Sequence, residues 1–558
     1  MAECVYYSKM GIDFPLDASI KVAENASDIE SAVISNSDFI KSEVCAWEID
    51  FYIKNSQDDI RDKIVSVSSL YNARLTAFES SCFMEYEREI SNRVLVVSND
   101  KRPLMQKLKE NAFTAVSIYH GELISVEGSI GMFKIEIKKD KEVAIVEADQ
   151  IVFYDNSGDL PKKRGFIDAD TLSDEEIISS LKENMGICNY ENSISYNSSI
   201  CQHHLRREDI CGKCTEACQT SAIVKDSNKR ELIFSHIDCN GCGECISVCP
   251  SGSLDFTKLP HLAFLQISRM YKNKIALIIP ETMQESICTL DIKLPKNILP
   301  LVLPNIDFLH EAHLITLLQE CGAQAILYSD KLFTGVKNAI YLLNEIYKAK
   351  YKKKALFVAS NEEELKKALL EACFIPNSVY DINEEGMRKR EIFSARLSYI
   401  TGNEDLGVVR TNSVPDEIVR YGYVKVDESR CTLCLSCVGA CNVGALKSYE
   451  EDFSLRLDNS VCTTCKYCEL TCPEKCIEVV RGELPLNKKW FTMHTVAKDE
   501  PCYCAVCKKP YATKRSVEKI ANMLKTLFIS DEAKLKTLYC CADCKAKVMI
   551  EAQIKQGV

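Results

Sequence analysis

Four short cysteine runs set what this chain can fold around. Thiolates recurring at every third residue of a loop converge on one inorganic centre, and that leaves the local backbone little other choice. Cys239, Cys242, Cys245 and Cys249, followed by Pro250, spell C-x2-C-x2-C-x3-C-P. Cys462, Cys465, Cys468 and Cys472, followed by Pro473, repeat it without deviation. Cys431, Cys434, Cys437 and Cys441 keep the spacing but place Asn442 where proline usually stands. The earliest run is irregular: Cys211, Cys214 and Cys218 match the last three positions, Glu208 holds the first, and Cys201 is the replacement ligand we expect.

Such loops hold three corners of a 4Fe-4S cube, and the fourth cysteine reaches the neighbouring cluster when two runs are paired. On that rule one cluster takes Cys201, Cys211, Cys214 and Cys249, and its partner takes Cys239, Cys242, Cys245 and Cys218. The later pair divides into Cys431, Cys434, Cys437 and Cys472 for one cluster and Cys462, Cys465, Cys468 and Cys441 for the other. Zinc also binds C-x2-C pairs, but complete four-cysteine runs argue for iron–sulfur clusters. In the irregular run a three-iron or labile cluster is the alternative, with His203 and His204 close enough in sequence to be ligands, although surface histidines are the plainer reading.

A disulfide framework does not suit this chain. Its first residues, MAECVYYSKMG, show neither a positive n-region nor an apolar h-region, so a cytoplasmic location is expected, where disulfides are rare. No apolar run approaches the 18 residues or so of a membrane span. The formal net charge of −11 argues against nonspecific nucleic-acid binding and suits docking on a complementary basic redox partner.

A chain of 558 residues should hold several domains. We read 1–190 as an amino-terminal α/β domain of unknown role, with strands at 94–98 and 114–118 around a helix at 103–113, a hairpin after it, and a linker at 155–174. Module one occupies 198–258. From 260 to 400, strands such as KIALIIP and QAILYS alternate with helices, implying a parallel sheet covered by helices. No G-x-G-x-x-G follows these strands, so a dinucleotide site has no support. Module two spans 421–485.

A tail at 500–550 closes the chain. Cys504-x2-Cys507 and Cys541-x2-Cys544 suit one tetrahedral zinc, giving a zinc-ribbon-like tail, with Cys502 and Cys540 as neighbours able to exchange with them. A labile fifth iron–sulfur site and a redox-active thiol group are the rivals. A helix between the pairs should place Val517, Ile520, Leu524 and Leu527 on one face. Cysteines 4, 45, 82, 188, 288, 321 and 373 read as small buried hydrophobes, and Cys476 as a neighbour of a cluster.

The paired runs resemble bacterial dicluster ferredoxins. VEGSIGMFKIEIKKD at 126–140 is similar to the stretch leading into the ferredoxin insertion of heterodisulfide reductase A-type flavoproteins. LPNIDFLHEAHLITLLQECGAQAILYS resembles the small iron–sulfur subunit that joins hydrogenase or formate dehydrogenase to that reductase. The flavin fingerprint is absent, and of that subunit's cysteines only Cys321 is a candidate match, so neither flavin nor a middle-domain cluster is carried over. The whole is similar to accessory iron–sulfur proteins of formate dehydrogenases. These resemblances imply a carrier of up to four 4Fe-4S clusters relaying single electrons to or from a redox enzyme, rather than a stand-alone enzyme. The alternative is a maturation or redox-sensing factor for a formate dehydrogenase-type enzyme.

Overall fold

The computed structural model describes residues 4–8, 14–100, 104–139, 142–155, 163–411 and 420–555. Two compact units divide the chain: one holds 1–198, 203–343 and 354–385, the other 199–202, 344–353 and 386–558.

In the first unit, Lys21–Ala23, Cys4–Tyr7, Ala32–Ser35 and Ser42–Cys45 lie side by side as a parallel sheet. The helix Ile60–Ser80 starts at Asp59, whose carboxylate accepts the orphan amides of Arg61 and Asp62. Its Arg74 is 7% exposed and grips Glu48 with two nitrogens, Nε–Oε1 at 2.6 Å and Nη2–Oε2 at 3.0 Å, while Nη1 reaches Glu281 at 2.7 Å. Burying such a pair is tolerable only because both charges are matched. Arg74→Ala would strand the buried Glu48 carboxylate, and we expect it to cost about 3–5 kcal/mol, read as a lowered melting temperature by circular dichroism.

A second parallel sheet runs Phe166–Asp168, Gln150–Phe153, Arg93–Val97, Thr114–Ile118. Phe166–Asp168 falls inside the stretch read as a linker; three residues were too few to show as a strand in the sequence. Beside this sheet, Leu123–Glu127, Phe133–Lys139 and Glu142–Ala148 form an antiparallel ribbon. Phe133, Ile135 and Ile137 point into the core while Lys134, Glu136 and Lys138 face out, the period-two alternation of a sheet with one wet face.

The third sheet, ordered Ile298–Leu303, Ile275–Pro280, Ala325–Tyr328, Leu356–Ala359, is parallel throughout. The first two of these strands are buried at every residue, which is why they read as unbroken apolar runs. Gly322, in the left-handed region at φ 68°, ends the helix Glu311–Cys321.

Module one belongs to this unit. Ile194–Tyr196 pairs with Leu254–Phe256, Ile223–Asp226 pairs with Glu231–Phe234, and the short helices Lys213–Ala217 and Glu244–Ser247 follow the cysteine loops. Its loop packs against the segment that follows Ile298–Leu303: a Cβ on Gly243, which has φ 84°, would come within 3.0 Å of the Phe308 backbone.

In the second unit, module two repeats the plan. Gly422–Val426 pairs with Ile477–Arg481, and Leu446–Tyr449 pairs with Ser454–Leu457, which His494–Lys498 extends. The helices Ser436–Ala440 and Tyr467–Thr471 follow the loops. Arg390, on the helix Lys389–Thr401, lays its guanidinium 3.9 Å from the Tyr421 ring centroid and donates to the Arg420 carbonyl at 2.7 Å. The tail contributes a hairpin, Pro501–Tyr503 with Pro510–Thr513, then the helices Lys514–Lys525, Glu532–Thr537 and Ala542–Lys555. The face expected on the first of these is only partly covered: Val517 and Ala521 are buried, but Ile520 and Leu527 are 53% and 72% exposed. No described helix is long and apolar enough to cross a membrane.

Candidate metal centres

Module two gathers its cysteines crosswise. One cavity is lined by Cys431, Cys434, Cys437 and Cys472, with Cys476 as a fifth thiol. A second is lined by Cys441, Cys462, Cys465 and Cys468. Of the two runs, each cavity takes three thiols from one and one from the other. Burial and then the neighbouring Cys431, Cys434 and Cys472 push the Cys437 thiol up to about 12. Burial raises Cys468 as well, followed by Cys462, Cys465, Cys441 and then Cys437 of the other group. Thiols this crowded resist ionising together, and a positively charged iron core is the kind of group that would make four thiolates favourable there.

The loops are shaped for the purpose. Leu433, Leu435, Thr464 and Lys466 all have positive φ, at 52°, 63°, 47° and 70°. Gly241 and Gly243 hold the equivalent places in the Cys239 run, at 68° and 84°. A left-handed conformation costs a side-chain-bearing residue about 1–2 kcal/mol. Alternating hands along a loop turn its amides toward a common concave face, the geometry that binds anionic groups. The Thr464 amide donates to the Cys462 sulfur at 3.3 Å. Further along, the Ala222 amide donates to Cys218 Sγ at 3.2 Å and the Ser253 amide to Cys249 Sγ at 3.3 Å. Cys476, as expected of a cluster neighbour, is buried with its sulfur 3.6 Å from that of Cys472.

In module one, burial raises the Cys245 thiol first, and the charges of Cys242, Cys214, Cys239 and Cys218 add to it. The Cys211 loop departs from the others: Gly212, at the position of Gly243, has φ −155° instead of a left-handed value. Cys201 sits in the second unit, while Cys211, Cys214 and Cys249 belong to the first. Asn442 explains that placement. Its Nδ2 donates to the carbonyls of Cys201 at 2.9 Å and Ser199 at 3.2 Å, and its Oδ1 accepts from Gln202 Nε2 at 3.0 Å. The residue that broke the proline pattern thus ties segment 199–202 to module two. Asn442→Pro removes three hydrogen bonds worth about 1 kcal/mol each, so we expect faster amide hydrogen exchange across 199–202.

Some readings of single residues change. His203 is 2% exposed and lies 3.4 Å from Asp209, so it is no surface histidine. Cys82 and Cys288 are exposed, against the expectation of burial, whereas Cys4 and Cys321 are buried. None of the thirty cysteines forms a disulfide.

The tail brings Cys504, Cys507, Cys541 and Cys544 together with all four sulfurs within 4.8 Å of one another. Cys507 and Cys541 stand 3.8 Å apart, close to the edge of a tetrahedron with metal–sulfur bonds of about 2.3 Å. Thiolates that each hold a different iron of a cube must stand farther apart, so this set suits a single ion. Burial opposes the Cys504 thiolate, but the amides of Cys541, Cys507 and Val506 bring the thiol down to about 5. Cys502 and Cys540 stay outside the set: Cys540 Sγ donates to the Lys536 carbonyl at 3.2 Å, and Cys502 Sγ lies 3.9 Å from the Tyr511 hydroxyl.

Comparison with known proteins agrees on the two modules. Residues 209–253 and 423–473 each match a 4Fe-4S dicluster domain. An archaeal-type glutamate synthase [NADPH] of Thermotoga maritima is 31% identical over 86 residues, 15% of this chain and 16% of that protein. The polyferredoxin protein MvhB of Methanothermus fervidus is 38% identical over 56 residues, 8% of this chain and 14% of its own length. An uncharacterized protein of Haemophilus influenzae is 36% identical over 67 residues, 11% of this chain and 39% of its own. The chain therefore spans well under half of each of these relatives.

Proposed function

We propose that this chain is a cytoplasmic electron-transfer protein or subunit carrying four 4Fe-4S clusters and one structural zinc, and that it relays electrons to or from a redox enzyme such as a formate dehydrogenase. The observation that carries this reading is the crosswise lining of two cavities by the two cysteine runs, each taking three thiols from one run and one from the other, with Cys476 also lining the first. The clusters, when bound, supply one-electron transfer. The chain's own residues do the rest. Cys431, Cys434, Cys437 and Cys472 would hold one cluster, and Cys441, Cys462, Cys465 and Cys468 the second. Cys218, Cys239, Cys242 and Cys245 would hold the third, and Cys201, Cys211, Cys214 and Cys249 the fourth. Amide donors to the sulfurs, and burial by Leu455, Ile477 and Leu457, set how easily each site accepts charge. Cys504, Cys507, Cys541 and Cys544 would hold zinc, which fastens the tail.

Anaerobic purification followed by iron, sulfide, zinc and flavin analysis, with EPR after dithionite reduction, tests the proposal. About sixteen iron and one zinc per chain, with coupled reduced-cluster signals, are expected. A chain with no reducible cluster signal would sink it.

A further inference from the structure

All four cysteine runs end in the same turn. Three residues past the last cysteine of each run, Ser221, Gly252, Gly444 and Lys475 have left-handed backbone, with φ of 52°, 69°, 68° and 48°. The reversal returns the next residue toward the sulfur just passed: the amides of Ala222 and Ser253 donate to Cys218 and Cys249, and the Cys476 sulfur lies 3.6 Å from that of Cys472. In the Cys441 run the corresponding residue is Ala445, which lines the same cavity as Cys441. All four of these residues are buried.

What this residue carries decides whether the sulfur gains a side-chain hydrogen bond. Ser253 Oγ stands 3.3 Å from Cys249 Sγ, and Cys476 presents a thiol to Cys472, but Ala445 ends in a methyl group. Bound to iron, Cys472 is a thiolate with no proton to give, so Cys476 is the donor of the pair. Its proton stays in place, because one more negative charge buried among the thiolates of Cys431 and Cys472 would be strongly opposed. A hydrogen bond to a ligand sulfur favours the more negative, reduced state and so raises the reduction potential. Ser436 Oγ, 3.5 Å from Cys434 Sγ, acts on the same set in the same sense. Glu474, the one carboxylate among the described residues lining that cavity, opposes it, but its charge is paired with Lys519. Lys466, which lines the other cavity, is exposed, and solvent screens its charge.

We propose that Cys476 sets the order of the two sites in module two: its S–H, held against Cys472, makes the Cys431 set the more readily reduced, and an electron entering the module comes to rest there. This rests on the electron-relay reading above and adds to it a direction. One electron moves from the reductant and no proton moves with it, since Cys476 keeps its hydrogen in both states.

The test uses the full-length, cluster-loaded protein in an anaerobic redox titration with dithionite, followed by EPR. In wild type, the module-two signal that appears at the higher potential should be the one that Cys437→Ala removes. Cys476→Ala should lower the reduced-to-oxidised ratio of that cluster about fivefold at a fixed potential, a shift of about 40 mV at about 59 mV per tenfold for one electron. Cys476→Ser, whose hydroxyl replaces the thiol as donor in the manner of Ser253, should stay close to wild type. Ala445→Ser should raise the potential of the other cluster. Combined with Cys437→Ala, which empties the Cys431 site, Cys476→Ala should shift nothing. Iron and zinc should match wild type in every variant that keeps Cys437. An unchanged potential in Cys476→Ala with iron intact would overturn the proposal while sparing the relay reading. So would an equal shift in Cys476→Ser and Cys476→Ala, which would mark a packing effect, or a higher-potential signal that survives Cys437→Ala. Loss of about four iron in Cys476→Ala would also overturn it, because Cys476 would then be a ligand. Absence of reducible clusters in wild type would instead fail the relay reading itself.

Discussion

Replacing Cys468 with alanine should lower iron from about sixteen to about twelve atoms per chain, and adding Cys441→Ala to the same molecule should lower it no further. Cys441 and Cys468 line the same cavity although 27 residues and a β-hairpin separate them. Once one has gone, the site is already lost, so the second change has nothing left to remove. The opposite pattern is expected for Cys437→Ala with Cys468→Ala, because Cys437 faces the other cavity. That pair should take iron to about eight. Cys476→Ser provides the contrast: its sulfur is 3.6 Å from Cys472 and buried, yet it lies outside both proposed sets, so iron should stay at its full value. Additive loss from Cys441 and Cys468, or iron loss from Cys476→Ser, would mean that the sulfurs are divided differently.

The crosswise grouping of thiols in module two follows from spacing along the chain: two thiols on each loop, the third in the short helix and the fourth just past its end. The strands Ile275–Pro280 and Ile298–Leu303 were legible, since a strand covered on both faces must be apolar throughout. The first sheet was not legible. Its strands are three or four residues long and carry Lys21, Ser35, Ser42 and Glu43, so no period stands out. Asn442 announced itself only as a missing proline. Its role depends on segment 199–202, more than 200 residues away in sequence, and no local pattern encodes such a meeting. The left-handed loop residues were half visible: glycine at 241 and 243 advertises the conformation, whereas Leu433, Leu435, Thr464 and Lys466 adopt it without a residue type that says so. The amphipathic helix of the tail misled in the opposite sense. Its apolar positions Val517, Ile520, Leu524 and Leu527 suggested one covered face, yet only Val517 is buried, while Ile520 and Leu527 remain in solvent.

That shortage of core makes metal removal from the tail the other large effect. The buried cluster there consists of Cys504, Cys540, Cys544 and Val548, three of the four being cysteines. So few apolar side chains do not by themselves hold a segment of this length in one fold. A structural zinc supplies about 10–16 kcal/mol of binding free energy that becomes folding free energy. Cys541→Ser, or treatment of the wild type with a zinc chelator, should therefore unfold the tail. Limited proteolysis should then trim the chain to near residue 500 while module two keeps its iron. Cys502→Ser and Cys540→Ser should keep the zinc, since neither sulfur belongs to the four that converge. If Cys541→Ser kept one zinc and resisted trimming, the tail would be folding on something other than a metal held by these four thiolates. If chelation stripped iron from module two in step with zinc, the contacts of Thr513 and Lys519 with Thr432 and Glu474 would be holding the cluster loop in place, not merely resting on it.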